Sequence, residues 1–207
     1  MSEDQSTSQI PRGEPYILFD EWYAQARVSE PNDSNAMALA TATPNGAPSV
    51  RMVLLKGHGA DVGGQGGFTF FTNAHSRKGE EIRANAQAAL LFHWKSLRRQ
   101  IRIEGALTQV APDVADEYFH SRSRASQLGA VASDQSRPMD DRETFLARLS
   151  AAQERFGDGE IERPAHWTGF TLTPTAFEFW LDRPNRLHDR RRFERAGERW
   201  ADKLLYP

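Results

Sequence analysis

The fold is decided by two apolar stretches that lie close together in the chain, Ala88-Ala-Leu-Leu-Phe-His-Trp94 and Arg99-Gln-Ile-Arg-Ile-Glu-Gly-Ala-Leu107. In the second stretch, Ile101 and Ile103 alternate with polar residues, which is the period of a strand that buries one face. The first stretch is a short apolar run of the kind that buried strands show. Both are therefore predicted to be β-strands.

The same reasoning, extended outward in both directions, predicts a chain rich in strands. Residues 36–42 and 49–56 flank the turn signal Pro44-Asn45-Gly46, and they are predicted to form a hairpin. Further strands are predicted at 67–72, 168–173, 176–181 and 186–193.

Helices are inserted between these strands rather than alternating with them. Amphipathic spacing and capping residues predict four: 19–26, a helix to about residue 86 after the N-cap Ser76, a helix opened by Pro112 that continues through 118–129, and 142–156. This arrangement predicts a mainly β fold with peripheral helices, built as an antiparallel barrel. We expect one domain over 15–207, after a polar, disordered N-terminal segment over 1–14.

Composition narrows the class of protein. The 207 residues carry a formal net charge of −2, which argues against a nucleic-acid partner. There is no cysteine, so disulfides, thiolate metal sites and cysteine nucleophiles are excluded. No signal peptide is expected, and no apolar run approaches the ~20 residues of a membrane helix. The expected location is the cytoplasm.

A candidate phosphate site lies in the segment 118–129. If this segment is one helix, Tyr118, Arg122 and Ser126 fall at i, i+4 and i+8 and share one face. Each can donate a hydrogen bond to an anionic oxygen, and the arginine adds charge. The alternative is that Tyr118 packs in the core while the other two face water.

A second basic segment is Arg186-Leu-His-Asp-Arg190. In a strand, Arg186, His188 and Arg190 share a face, and such neighbours repel one another unless an anion lies among them. The alternative is a solvated edge strand, since Arg191 and Arg192 continue the run of charge.

Two more basic segments stand at the ends of predicted strands. Arg51 and Lys56 bracket an apolar run. In a regular strand, side chains five positions apart point to opposite faces of the sheet. Either a bulge therefore intervenes, or Arg51 and Lys56 serve different groups of the ligand. The alternative is two charges that reach solvent. Arg77 and Lys78 fall in a first helical turn, where cations oppose the helix dipole and a nearby anion would explain them.

Two other patterns carry no site. The glycine-rich segment 63–67 lacks the strand–loop–helix context of a phosphate loop, and a flexible hairpin turn is predicted instead. The six histidines have no metal-binding spacing, so no metal is expected, and no nucleophile elbow is present.

Taken in order, the basic segments and their neighbours resemble the pyridoxine/pyridoxamine 5′-phosphate oxidase family. The resemblance runs from about residue 36 to the C-terminal Pro207. Seven matching motifs at fitting separations make it highly specific: 51–56, 70–73 with 76–78, 91–94 with 99–100, 118–129, 135–136, 177–180 and 186–190.

The resemblance implies an antiparallel FMN-binding split β-barrel that acts as a homodimer, with two FMN sites between the subunits. The residues that it assigns to FMN are Arg51, Lys56, Phe71, Thr72, Arg77, Lys78, Gln100, Gln135, Ser136, Trp180 and Arg190. It assigns the substrate phosphate to Lys56, Tyr118, Arg122 and Ser126, and it places the catalytic pair Arg186 and His188 over the substrate ring. Phe71 stands where the family often has tyrosine, so a hydroxyl contact is lost there.

The implied activity is oxidation of pyridoxamine 5′-phosphate and pyridoxine 5′-phosphate to pyridoxal 5′-phosphate, in vitamin B6 biosynthesis or salvage. FMN would take two electrons from the substrate's 4′ carbon and pass them to O₂, giving H₂O₂. The alternatives are another split-barrel flavin oxidoreductase, such as one acting on phenazine precursors, or a non-catalytic carrier of flavin or pyridoxal phosphate.

Overall fold

The computed structural model describes residues 9–207 and contains nine strands and five α-helices in that range. In chain order they are α1 (Pro15–Ser29), β1 (Ala36–Ala42), β2 (Pro48–Leu54), β3 (Gly57–Gly59), β4 (Gly67–Asn73), α2 (Arg77–Ala84), β5 (Gln87–Trp94), β6 (Arg99–Gln109), α3 (Pro112–Ser121), α4 (Arg124–Ala132), α5 (Arg142–Phe156), β7 (Trp167–Leu181), β8 (Asp189–Ala196) and β9 (Arg199–Leu204). Two short 3₁₀ turns, Val62–Gly64 and Pro184–Arg186, join strands.

All of the strand pairs are antiparallel, and they form one curled sheet. The order across it is β2-β1-β5-β6-β7-β4-β3, with β8 on β7 and β9 on β8. The apolar stretches 88–94 and 99–107 lie in β5 and β6, and all of β5 pairs with β6, from Gln87↔Ala106 to Trp94↔Arg99. The prediction of a mainly β, antiparallel barrel with peripheral helices is confirmed.

Strand β7 organises the sheet because it pairs with three others. Its first half pairs with β4, its second half with β8, and β6 runs beside it throughout. A register shift between Glu104 and Gly105 marks a bulge, at which the sheet bends. A Cβ on Gly105 would stand 2.0 Å from the Thr173 carbonyl oxygen, so the close approach of the two strands requires glycine.

The core lies between the curled sheet and α1. Phe19 of this helix is fully buried and its ring meets those of Phe68 and Phe92 edge to face at 4.8 and 5.2 Å. Such aromatic pairs add about 0.5–1.5 kcal/mol beyond the area that they bury. The helix is longer than the predicted 19–26 because Pro15 opens it early, at a first-turn position where a missing N–H costs nothing.

Three predicted elements differ from the structure. The strands 168–173 and 176–181 are one strand, β7, because Pro174 still pairs with Gly105 and a bulge at Thr175 carries the strand on instead of ending it. The strand expected at 186–193 begins only at Asp189. Before it, Asn185 and Arg186 adopt left-handed backbone angles of φ 58° and 62°, which no strand allows. Apart from these, strands β3 and β9 were not predicted.

The third difference lies in the segment 118–129. The expected single helix is two helices, because α3 ends at Ser121 and Arg122 has extended backbone angles of φ −76° and ψ 155°. Ser123 is the N-cap of α4, and its Oγ accepts a hydrogen bond from the Ser126 N–H. Serine at this position competes with the helical backbone and favours a new start.

The described part of the N-terminal segment packs against the barrel. Ile10 is fully buried, and its carbonyl oxygen accepts a hydrogen bond of 2.8 Å from Nε of Arg191. Ile10 is therefore packed against the barrel, and the disorder expected over 1–14 stays a prediction. Residues 1–8 of the predicted disordered segment lie outside the described residues, and the extent of the domain, 15–207, stays a prediction. None of the helices over residues 9–207 is long and apolar enough to span a membrane.

Candidate active site

A cleft of about 740 Å³ opens between the β2 edge of the sheet and the helices α3 and α4. Nine of the residues assigned by resemblance line it: Arg51, Lys56, Phe71, Thr72, Lys78, Tyr118, Arg122, Ser126 and Gln135. Four of these are cations, and no carboxylate is among the described residues that line the cleft. A concave site with that charge selects anionic ligands.

Arg51 and Lys56 reach the same cleft although strict alternation would separate them. The β1–β2 ladder is continuous from Ala36↔Leu54 to Ala42↔Pro48, so no bulge intervenes. The strand instead ends at Leu54, and the chain turns so that the Lys56 N–H donates to the Thr69 carbonyl. The end of the strand between the two cations brings them together.

A buried carboxylate, Glu81, organises the cations at the base of this cleft. It is 5% exposed and accepts hydrogen bonds from two hydroxyls and two guanidinium groups: Thr41, Ser49, Arg51 and Arg77. Burial alone would raise the pKa of the Glu81 carboxyl, but these hydrogen bonds outweigh it and lower the pKa to about 2. Glu81 therefore stays ionised and compensates the two arginines.

Lys78 is the most deeply buried cation of the cleft. It is 7% exposed, and its Nζ donates to Gln135 Oε1 at 2.7 Å and to Thr72 Oγ1 at 3.1 Å. Burial, with the neighbouring charge of Arg51 adding to it, lowers the pKa of Lys78 to about 8. No carboxylate is within ion-pair distance of Nζ among the described residues, so Lys78 has a charge that a bound anion would compensate.

The substrate-phosphate residues predicted on one helix face come together at the break between two helices. Tyr118 lies in α3, Arg122 at the break and Ser126 in the first turn of α4, and all three line the cleft. The Oγ atoms of Ser123 and Ser126 are 2.9 Å apart at the N-terminus of α4. The prediction that the three side chains share one helix face was wrong, because two helices meet there. The prediction that the three side chains come together is confirmed.

Aromatic rings form one wall of the cleft. The ring of Tyr118 stacks on Phe71 at 4.1 Å, Phe71 stacks on Trp167 at 5.4 Å, and the Lys56 ammonium lies 5.7 Å from the Tyr118 centroid. The Arg122 guanidinium lies 4.9 Å from the Trp167 ring. Flat apolar walls beside fixed cations suit a planar ligand that bears a phosphate.

The chemistry of this donor set fits FMN and a phosphorylated substrate. Nη1 of Arg122 is buried without a hydrogen-bond partner, and burial lowers the pKa of this guanidinium. A buried donor left unpaired is costly and is satisfied when an anion binds. The N-terminus of α4 beside it supplies backbone N–H groups to the same place.

Five of the assigned residues lie elsewhere, in a second cluster near the far end of β7: Gln100, Trp180, Arg186, His188 and Arg190. Gln100 and Arg190 flank Trp180 across the sheet, and the Trp180 and His188 ring centroids are 4.6 Å apart. Nε and Nη2 of Arg190 both donate to Oε1 of Glu178, at 2.9 and 2.7 Å. Arg186 and His188 precede β8, which begins at Asp189. The prediction that they share a strand face with Arg190 is therefore wrong.

Two assigned residues do not line the cleft although they adjoin it. Arg77 is mostly exposed and pairs with Glu81 one helical turn away, at 2.9 Å. That pair already compensates the cation in the first turn of α2, so the argument that an anion must explain Arg77 is weakened. Ser136 follows the cleft residue Gln135 and has a left-handed φ of 70°.

Sequence reasoning missed three residues that shape the site: Glu81, Ser123 and Trp167. Ser123 could have been found, because Ser123 and Ser126 have the spacing of an N-cap and its partner. Glu81 and Trp167 gave no local signal, since their roles depend on strands and helices that are remote in the chain.

Comparison with known proteins places these features in a family. The profile of the family described as "Pyridoxamine 5'-phosphate oxidase" matches residues 24–156, and that described as "Pyridoxine 5'-phosphate oxidase C-terminal dimerisation region" matches residues 167–207. A pyridoxine/pyridoxamine 5′-phosphate oxidase of Erythrobacter litoralis is 68% identical, over 99% of this chain and 96% of the relative. One of Novosphingobium aromaticivorans is 57% identical over the full length of both.

Among solved structures, PhzG from Burkholderia lata in complex with tetrahydrophenazine-1-carboxylic acid superposes with a TM-score of 0.87 at 32% identity, covering 95% of this chain and 94% of that one. The curled antiparallel sheet, the cation-lined cleft and the matched family profile define this molecule as a split-barrel flavoprotein. The matched regions and relatives go further: the chain belongs to the pyridoxamine 5′-phosphate oxidase family.

Proposed function

We propose that this protein oxidises pyridoxine 5′-phosphate and pyridoxamine 5′-phosphate to pyridoxal 5′-phosphate, with FMN as cofactor and O₂ as electron acceptor. One observation supports this above others: a single cleft collects Arg51, Lys56, Lys78 and Arg122, and among the described residues only Arg51 of these four has a carboxylate partner, Glu81. Four cations and a helix N-terminus are enough for two phosphate groups, one on the cofactor and one on the substrate.

The protein is a homodimer, in keeping with the dimerisation region over 167–207. We propose that the cluster of Trp180, Arg186 and His188 completes the cleft of the partner subunit. The cleft adjoins the first residues of β7, where Trp167 lies, whereas the cluster adjoins its last residues. Residues at opposite ends of one strand cannot close on the same small ligand within one protomer.

The proposed roles follow from what each group can do. Arg51, Lys78, Thr72 and Gln135 bind the cofactor at the base of the cleft, and Lys56, Tyr118, Arg122 and Ser126 hold the substrate phosphate. FMN, when bound, supplies the two-electron oxidation and passes the electrons to O₂, giving H₂O₂. Arg186 orients the substrate ring and stabilises developing charge, and His188 assists at the reacting carbon. No covalent nucleophile is required.

The test is direct. The purified protein is loaded with FMN and supplied under air with each vitamer phosphate or with tetrahydrophenazine-1-carboxylic acid, and pyridoxal 5′-phosphate and H₂O₂ are followed. Formation of both products from the vitamers is expected. A protein that takes up no FMN overturns the proposal. Turnover of the phenazine precursor alone favours the second split-barrel oxidoreductase, and binding without turnover favours a carrier.

We also propose a cytoplasmic location. The absence of cysteine from all 207 residues gives the chain no disulfide to gain from an oxidising compartment. Fractionation of the source cells, with the protein detected by antibody, tests this.

A further inference from the structure

His188, the assigned catalytic histidine, is held by a carboxylate that neither the sequence motifs nor the resemblance singled out. Its Nδ1 lies 2.9 Å from Oδ1 of Asp182, and both side chains are about one-fifth exposed. The Trp180 ring packs against the imidazole at 4.6 Å between centroids. The ring is thus fixed on one face and at one nitrogen.

Asp182 is itself held in place from the other side. Its second oxygen, Oδ2, accepts a hydrogen bond of 2.6 Å from Nε of Arg98, and its backbone N–H donates to the Arg98 carbonyl at 3.0 Å. Each carboxylate oxygen therefore has one partner, Arg98 at Oδ2 and His188 at Oδ1. A carboxylate fixed in this way cannot rotate freely about its last bond.

The contacts of Nδ1 decide which ring nitrogen carries the proton. The Arg183 backbone N–H donates to Nδ1 at 3.2 Å. An imidazole nitrogen cannot accept from that N–H and carry its own proton toward Asp182 at once. Without a proton, the Nδ1 lone pair would lie 2.9 Å from a carboxylate oxygen and be repelled by its negative charge, and this repulsion outweighs one neutral hydrogen bond. The proton therefore belongs on Nδ1.

We propose that Asp182 is a positioning residue for the reaction: it keeps the proton of the neutral His188 ring on Nδ1 and leaves the Nε2 lone pair free to accept a hydrogen bond from the substrate's 4′ amine or hydroxyl. No described residue hydrogen-bonds to Nε2. A carboxylate that selects the tautomer of a working histidine acts through that histidine and does not touch substrate. This role rests on the proposed function, because that function puts His188 beside the reacting carbon.

The loop around this pair offers a matched control. Asp189 lies seven residues from Asp182, and its carboxylate pairs with Arg183 at 2.9 Å rather than with the histidine. Asp182→Asn and Asp189→Asn remove one negative charge each and keep the side-chain shape. In Asp182→Asn the amide oxygen serves the Arg98 donor, which turns the NH₂ group toward Nδ1. That contact favours the proton on Nε2 and removes the free lone pair.

The experiment reads the tautomer and the kinetics separately. Imidazole ¹⁵N NMR of the FMN-loaded protein is recorded at about pH 8, where an ordinary histidine is neutral, and the His188 signals are assigned by their loss in His188→Gln. We expect wild type to carry the proton on Nδ1 and Asp182→Asn to carry it on Nε2. In steady-state kinetics, Asp182→Asn should lower kcat about 10- to 100-fold, within the range of positioned proton-transfer groups. KM should change less than about twofold, because the phosphate site is untouched.

Several results overturn the inference. The inference is wrong if the His188 proton of the wild-type protein lies on Nε2. It is also wrong if Asp182→Asn shifts the tautomer but leaves kcat unchanged. If Asp189→Asn reproduces both effects, the loop is merely loosened and Asp182 has no specific role. A wild-type enzyme that oxidises neither vitamer refutes the proposed function instead, and the tautomer measurement then still decides whether Asp182 fixes His188.

Discussion

At the scale of single residues, Lys78 shows how burial prepares a site for an anion. Its ammonium is held by neutral oxygens of Thr72 and Gln135, and its pKa is lowered to about 8. The folded pKa lies below the ordinary 10.5. The apoprotein therefore binds fewer protons than the unfolded chain between about pH 8 and 10.5, and this group makes it gain stability as the pH rises through that window.

The same shift predicts how FMN affinity depends on pH. If the phosphate binds beside protonated Lys78, the FMN dissociation constant of the apoprotein should rise about tenfold between pH 7 and 9, as a pKa near 8 requires. Titration of flavin fluorescence measures it. Lys78→Gln should bind FMN more weakly and show a flatter pH dependence, whereas an equally steep dependence in that variant would contradict the role of Lys78.

Substitutions at Arg122 and Arg186 should distinguish substrate binding, measured by KM, from the chemical step, measured by kcat. Arg122 lines the cleft with an unpaired buried Nη1, whereas the exposed Arg186 guanidinium pairs with no other described residue. Arg122→Ala should mainly raise KM, about 10- to 100-fold for a lost charged hydrogen bond of about 1.5–3 kcal/mol. Arg186→Ala should also depress kcat. Steady-state kinetics on pyridoxamine 5′-phosphate decide this, and equal, negligible effects would sink both assignments.

At the scale of elements, Glu81 ties helix α2 to the β1–β2 hairpin. Its carboxylate accepts from Thr41 on β1 and from Ser49 on β2. Because the folded pKa is lowered to about 2 from the ordinary 4.5, the stability that Glu81 contributes is fully present above about pH 4.5 and is lost as the pH falls through about 2.

Glu81→Gln should therefore lower the free energy of unfolding at pH 7 by about 2 kcal/mol, since two guanidinium groups lose their charged partner. The difference from wild type should shrink as the pH falls below 4.5. Urea denaturation at several pH values measures both. Glu80→Gln is the matched control, because Glu80 is half exposed, pairs with Arg137, and should change stability by less than about 1 kcal/mol. Equal losses in the two variants would contradict the account.

Prediction from sequence was accurate for elements whose signal is local. Helix α5 was placed at 142–156 and β1 at 36–42, because amphipathic spacing and a turn signal mark them. The break at Arg122 was missed because the segment 118–129 was taken as one helix, although the N-cap spacing of Ser123 and Ser126 marks a new helix start. The loop before β8 was missed because left-handed angles at Asn185 and Arg186 leave no pattern. The cleft's cations were found through motifs, but Glu81, which holds them, was not.

At the scale of the whole molecule, the edge strand β2 presents an apolar face to solvent in the single chain. Val50, Met52 and Leu54 are 67%, 62% and 40% exposed and alternate along the strand. Monomeric proteins rarely leave such an apolar face exposed, and an uncovered edge strand can pair with a strand of another chain. The second copy of the homodimer is the natural cover.

Val50→Lys should therefore weaken the dimer, because it buries a charge in an apolar contact. Light scattering coupled to size-exclusion chromatography should show monomer at concentrations where wild type is dimeric, with FMN lost in parallel. Val28→Lys is the control, since Val28 is 89% exposed at the end of α1 and stands apart from the edge. A Val50→Lys protein that stays dimeric would place the interface elsewhere.

The bulge at Thr175, next to Pro174, lets one strand carry both Trp167 and Trp180. Trp180 stands thirteen positions after Trp167, which at about 3.3 Å per residue gives a contour of about 43 Å. If each tryptophan serves a different active site of the dimer, the length of β7 sets the distance between the two sites. A one-residue insertion between them would shift the register and turn every later side chain to the opposite face. A change in the length of β7 would therefore alter both catalytic centres at once, whereas the loop before β7 carries none of the assigned site residues.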